Sequence, residues 1–118
     1  MQKILLVEDD KRLLDSIDSF LSSGIEGVRV ISTFDGKDGW QKYQKLNPNL
    51  IITDNRMPFW NGEKLAKRIR ETNPIVPIIL VTGYEAPIEK QIFSEIIYKP
   101  FSLDELIEVV KRHLLRLI

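Results

Sequence analysis

The chain has 118 residues, 43% of them hydrophobic, with 17 Lys+Arg balanced by 17 Asp+Glu, a single His and no Cys. That length suits one domain over residues 1–118, and the cancelled charge offers no basic field, so nucleic-acid binding by this domain is not expected. The lack of cysteine excludes disulfides and thiolate metal sites, which suits a cytoplasmic protein. The start, MQKILLVEDD, reaches acidic residues too early for a signal peptide, and no apolar run approaches the roughly 18 residues of a membrane span, so no membrane association is expected.

Short apolar runs alternate with helical patterns along the chain. The first run is Ile4-Leu5-Leu6-Val7, followed by Leu13, Leu14, Ile17, Phe20 and Leu21 on one face of a predicted helix. Val28-Arg29-Val30-Ile31 comes next, then a helix marked by Trp40, Tyr43 and Leu46 that ends before Asn47-Pro48. Leu50-Ile51-Ile52 precedes a helix that starts after Gly62 and carries Leu65 and Ile69. Ile78-Ile79-Leu80-Val81 leads into a cramped stretch, where Pro87 could start a helix of about two turns faced by Ile88, Ile92 and Phe93. Ile96-Ile97-Tyr98 is the last strand. Behind Ser102, an N-cap with Glu105 three residues on, Leu103, Leu106, Ile107, Val110 and Leu114 mark the last helix.

Runs that are continuously apolar are strands covered on both faces, as in a parallel sheet. Five strand–helix repeats therefore predict a three-layer, doubly wound α/β domain whose fourth helix is short or irregular. In such a sheet, ligands bind beyond the carboxyl ends of the strands, where the strand order reverses. For the order 2-1-3-4-5, that point lies between strands one and three. Glu8-Asp9-Asp10 leaves strand one and Asp54 leaves strand three, so acids remote in sequence converge there.

Taken alone, Glu8-Asp9-Asp10 also reads as helix capping, although capping needs only one acid. Asp54 is different, because it ends a buried strand and the following Asn55-Arg56-Met57-Pro58 needs no cap. Two like charges about 4 Å apart cost roughly 4 kcal/mol at an effective dielectric near 20, so the cluster needs a counter-charge. An all-oxygen set suits a hard divalent cation, and Mg²⁺ leaves room for waters and a phosphoryl oxygen. Thr82-Gly83 after strand four reads alone as a turn, and Lys99-Pro100 after strand five as a strand stop. Together the four strand ends carry acid, acid, hydroxyl and lysine.

With those residues, the chain resembles the receiver domain of two-component response regulators, in ILLVEDD (4–10), TDNRMPFWNG (53–62), VTG (81–83) and YKPF (98–101). The resemblance covers essentially the full chain and implies the flavodoxin-like order 2-1-3-4-5. It implies that Asp54 is the phosphoacceptor, taking a phosphoryl group from a histidine kinase or a histidine phosphotransfer protein. Asp9, Asp54 and the Arg56 backbone carbonyl would ligate Mg²⁺, with Glu8 acting through water. Thr82 would hydrogen-bond the phosphoryl group, Lys99 would pair with it, and the N–H groups of Arg56 and Gly83 would line its other oxygens. A cis Lys99–Pro100 bond is implied too, and the modified surface would act on an effector protein or a second copy. The chain would catalyse only its own phosphorylation and dephosphorylation.

The sequence departs from the family pattern in places. Ile96 stands where an aromatic switch residue is usual, three positions before the lysine, and Tyr98 sits beside Lys99 instead. The stretch between Thr82 and Lys99 is shorter than usual. Arg56 and Tyr84 are bulky at positions that govern access of water to the acyl phosphate, which predicts slow self-dephosphorylation. Phe59 and Trp60 either contact a partner or fold back on the domain, the second being preferred. His113 is expected exposed and inert near the end of the last helix. Two other readings remain: a pseudo-receiver that only binds partners, and an aspartate-nucleophile phosphohydrolase, which wants a second acid where Arg56 stands.

Overall fold

In the computed structural model, residues 1–83 and 89–115 are described. The elements run β1 (Gln2–Val7), α1 (Lys11–Gly24), β2 (Val28–Thr33), α2 (Gly36–Leu46), β3 (Leu50–Asp54), α3 (Gly62–Thr72), β4 (Ile78–Thr82), a 3₁₀ turn (Lys90–Ile92), β5 (Glu95–Tyr98) and α4 (Leu103–Leu115). All four strand pairings are parallel, in the order β2-β1-β3-β4-β5. The strand order and the layering are those read from the sequence.

Both faces of the sheet are covered, and the period-2 alternation of each strand divides the core in two. Ile4 and Leu6 of β1, Leu50 and Ile52 of β3, and Ile79 and Val81 of β4 face α1 and α4, where Leu14, Ile17, Leu21, Leu106 and Val110 close the layer. Leu5 and Val7, Ile51, and Ile78 and Leu80 point the other way, onto Tyr43 of α2 and Leu65, Ala66 and Ile69 of α3. Every residue of β3 and β4 is buried, which is why those strands read as unbroken apolar runs.

Capping fixes where the helices begin, and so where the loops above the sheet lie. Asp10 Oδ1 accepts the N–H groups of Arg12 and Leu13 at 3.1 and 3.3 Å. Asp35 takes Asp38 N–H at 2.7 Å, Asn61 takes Lys64 N–H at 2.8 Å, and Ser102 takes Glu105 N–H at 3.0 Å. Gly62 opens α3 directly under the end of β3, where a Cβ would be driven into the Asp54 carbonyl oxygen. No larger residue fits there without moving the end of β3.

Two expectations need correction. The fourth helix is short and irregular, as expected, but in place of about two turns faced by Ile92 and Phe93 the described residues hold a single 3₁₀ turn over Lys90–Ile92, while Pro87, Ile88 and Tyr84 lie outside the described residues. Backbone groups that a helix would satisfy internally are satisfied by α3 instead. Glu63 accepts Glu89 N–H at 2.9 Å, and Arg70 Nε donates to the Ile92 carbonyl at 2.8 Å. The second correction is His113, which is only 5% exposed. It follows Leu106, Val109 and Val110 on the inward stripe of α4, and its Nε2 lies 3.4 Å from Glu95 Oε1 on β5.

Candidate functional site

The carboxyl ends of β1, β3, β4 and β5 open into a cleft of about 500 Å³ lined by Glu8, Asp9, Asp10, Asp54, Arg56, Gly83 and Lys99. The three consecutive acids separate by role. Asp10 turns to cap α1, whereas Glu8 and Asp9 face Asp54. Capping and clustering, alternatives in the sequence, are both present and fall on different residues.

Glu8 is 2% exposed and Asp54 7%, while Asp9 is exposed. One carboxylate oxygen from each of the three lies within 4.8 Å of the others. Asp54 Oδ1 accepts Asn55 N–H at 2.7 Å, and Asp54 Oδ2 faces Lys99 Nζ at 3.3 Å. Lys99 Nζ also reaches Glu8 Oε1 at 3.4 Å, and Glu8 Oε2 accepts Asp10 N–H at 3.1 Å. A half-buried ammonium therefore bridges two buried carboxylates from strands remote in sequence.

The electrostatics follow from burial. Desolvation pushes the Glu8 carboxyl up to about 7, and the neighbouring Asp54 charge adds to this, against the Asp10 N–H and Lys99. For Lys99, burial opposes the charged form, yet the Asp54 and Glu8 carboxylates outweigh it and raise its pKa. One lysine thus leaves the acid cluster with uncompensated negative charge. The three carboxylates fit a divalent cation: one oxygen from each lies within 4.8 Å of the others, and the donors are hard oxygens.

The remaining site residues are placed unevenly. Thr82 is fully buried at the end of β4, paired in register with Tyr98, and its carbonyl accepts Lys99 N–H at 2.8 Å. It sits behind Gly83 and is not part of the cleft lining. Arg56 and Gly83 do line the cleft, and the Lys99–Pro100 peptide is cis. Ile96 is half-buried and packs with the α2–α3 side of the core, while Tyr98 is exposed.

Sequence reasoning missed Arg70, whose guanidinium binds the carbonyls of Ile92, Asn73 and Val76 and lies 3.4 Å from Ser94 Oγ. Phe59 and Trp60 part company: Trp60 folds back onto Trp40 of α2, and Phe59 is 81% exposed. Among the described residues, no helix is long and apolar enough to cross a membrane.

Comparison with known proteins agrees with this geometry. A family model for the response regulator receiver domain matches residues 4–111. The chain is 34% identical over 117 residues to the transcriptional regulatory protein CrdR of Helicobacter pylori, covering 94% of this chain and 54% of that protein. It is 34% identical over 111 residues to the transcriptional regulatory protein CiaR of Streptococcus pneumoniae, covering 90% and 48%. The chain therefore spans about half the length of the curated relatives it matches. The receiver domain of the Francisella response regulator 1452 superposes with a TM-score of 0.89 at 28% identity, over 100% of both chains. The response regulator TrrA of Thermotoga maritima, solved in complex with Mg²⁺-BeF, gives 0.87 at 29% identity, over 96% of this chain and 99% of that one. The protein belongs to the receiver-domain family of two-component response regulators.

Proposed function

We propose that Asp54 is the phosphoacceptor of a signalling switch, charged by a histidine kinase or a histidine phosphotransfer protein in the cytoplasm. The observation that carries this reading is the meeting of Asp54 Oδ2 with Lys99 Nζ at 3.3 Å inside an acidic cleft. Asn55 N–H holds Oδ1 and Lys99 Nζ faces Oδ2, so the carboxylate that attacks phosphorus is oriented through both of its oxygens. The P–N bond of the phosphohistidine breaks as the new P–O bond forms, and the electron pair stays on the donor imidazole nitrogen. Asp54 then carries an acyl phosphate. Residues 1–118 act as one receiver unit in this proposal.

The chain's own residues contribute position and charge, which supply most of the catalysis of phosphoryl transfer. Lys99 would pair with the arriving oxygens, and the N–H groups of Arg56 and Gly83, two residues of the cleft lining, would receive the others. The Thr82 hydroxyl, on a residue buried at the end of β4, would reach the phosphoryl group after a local shift, which would give the switch its moving part. Glu8, Asp9, Asp54 and the Arg56 carbonyl would hold Mg²⁺. The ion supplies neutralisation of the dianion among carboxylates. The protein acts on no substrate but itself, and its modified surface would change binding of an effector or a second copy.

Incubation with Mg²⁺ and acetyl phosphate, followed by intact mass measurement, tests the reading. The wild type should gain the mass of one phosphoryl group and Asp54→Asn should not. A wild type that stays unmodified under donor excess would leave only a partner-binding module, and labelling of Asp54→Asn would move the acceptor elsewhere.

A further inference from the structure

Two aromatic residues follow the acceptor, and the structure treats them oppositely. Phe59 is exposed, with its backbone at φ 69, a left-handed conformation that bulky residues rarely adopt. Trp60 N–H donates to the Pro58 carbonyl at 2.9 Å across it. A positive φ spanned by an i to i+2 hydrogen bond marks the strained form of γ-turn. Such strain persists only where the surroundings over-determine it.

Trp60 provides that constraint. Its ring stacks on Trp40 with centroids 6.3 Å apart and 27° between planes, and Trp40 stacks on Tyr43 at 5.7 Å. From α3, Lys64 Nζ lies 4.7 Å from the Trp60 centroid, and Arg68 sits over both indoles at 5.1 and 5.8 Å. The Trp60 backbone presses on Gly36 at the start of α2, where any side chain would collide with it. Both tryptophans of the chain are spent on this one stack. The far end of the loop is thereby fixed to α2 and α3, and its near end is the end of β3. Between them lie Asn55, which holds Asp54 Oδ1 and accepts Glu63 N–H at 3.1 Å, and Arg56 on the cleft wall.

We propose that Trp60 is a positioning residue for the cleft: its stack holds residues 55–61 in the shape that turns the Arg56 carbonyl toward a divalent cation and keeps Asn55 N–H on Asp54. The proposal rests on the reading of the cleft as a Mg²⁺ phosphoacceptor site. Supporting groups outside the ligand set commonly change metal affinity by about 10- to 100-fold when lost.

The test is titration of the full chain with Mg²⁺, followed by the backbone amide shifts of Glu8, Asp9 and Asp54, beside thermal unfolding without the ion. Trp60→Ala should bind Mg²⁺ about tenfold more weakly than wild type. Trp60→Phe, which keeps an aromatic face for Trp40, should bind nearly as well as wild type. Phe59→Gly, which relieves the backbone at φ 69 and leaves Trp60 in place, should also keep its affinity. If Trp60→Ala does not fold, Trp60→Leu fills the space without stacking and should show the same weakening. A Trp60→Ala or Trp60→Leu chain that melts lower yet binds Mg²⁺ like wild type would overturn the proposal and reduce Trp60 to a structural role. A wild type that shows no saturable response would instead remove the Mg²⁺ site itself, and this proposal with it.

Discussion

Replacing Glu8 by Gln in the metal-free protein should make it more stable at pH 8 and leave it unchanged near pH 4. Glu8 is almost wholly buried beside Asp54, and burial raises its carboxyl from an unfolded value of 4.5 to about 7. The folded state then binds more protons than the unfolded state between those pH values, so stability falls as pH rises through the window. At about 1.4 kcal/mol per pH unit, the loss reaches roughly 3 kcal/mol, with relaxation of the cluster making this a ceiling. Lys99 does not disturb the window, because its raised pKa keeps it charged throughout. Glutamine has the same shape, accepts Asp10 N–H with its amide oxygen, and has no charge to lose. Urea unfolding of both proteins at pH 4, 6 and 8 reads the difference directly, since groups common to both cancel. Saturating Mg²⁺ should flatten the wild-type pH dependence, because the ion favours the ionised carboxylate. Identical stabilities at pH 8 would refute the argument, for they would mean that the Glu8 charge is solvated or already fully neutralised. A penalty of this kind, relieved on ligand binding, is the usual mark of a functional site.

Two further outcomes are expected, one from the contacts of Arg70 and one from the sequence positions of Arg56 and Tyr84. Arg70→Met should lower stability by about 2–3 kcal/mol in urea unfolding and speed hydrogen exchange at Phe93 N–H, because the Ile92 and Val76 carbonyls lose a charged donor at 2.8 and 2.6 Å. Arg56→Ala and Tyr84→Ala should each shorten the lifetime of the acyl phosphate, measured by mass after removal of the donor; an unchanged decay would remove these side chains from the control of water access.

Much of the site was legible because its residues sit at strand ends, and strand ends are marked by local pattern. Asp54 closes a buried strand that begins as the apolar run Leu50-Ile51-Ile52, and Lys99 follows Ile96-Ile97-Tyr98. The parallel arrangement then forces those ends together. From the residues alone the division of labour within Glu8-Asp9-Asp10 was not legible, since any of the three can cap and any can ligate; only the family resemblance set Glu8 and Asp9 apart from Asp10. The backbone dihedrals decide it: Asp10 is extended at φ −78, ψ 106 with its oxygen over the first N–H groups of α1. His113 was misread for a related reason. A histidine among charged residues near a helix end reads as exposed, but one position of helical phase places it on the inward stripe beside Glu95. The fourth connection was legible as short, yet the means of its support was not, because α3 side chains replace the internal hydrogen bonds of a helix.

The sequence by itself determined the order of elements, the burial of the central strands and the identity of the residues at the sheet's carboxyl edge. These follow from periodicity, capping chemistry and the few topologies open to alternating strands and helices. Tertiary structure alone decided which acids share Lys99, how far Glu8 is pushed from its ordinary pKa, and that Trp60 packs back onto Trp40 while Phe59 is displayed. Lys99 meets partners 45 and 91 residues away in sequence. Local pattern dictates which way a backbone runs, but the field and the packing around a side chain come from segments it touches only once the chain has folded.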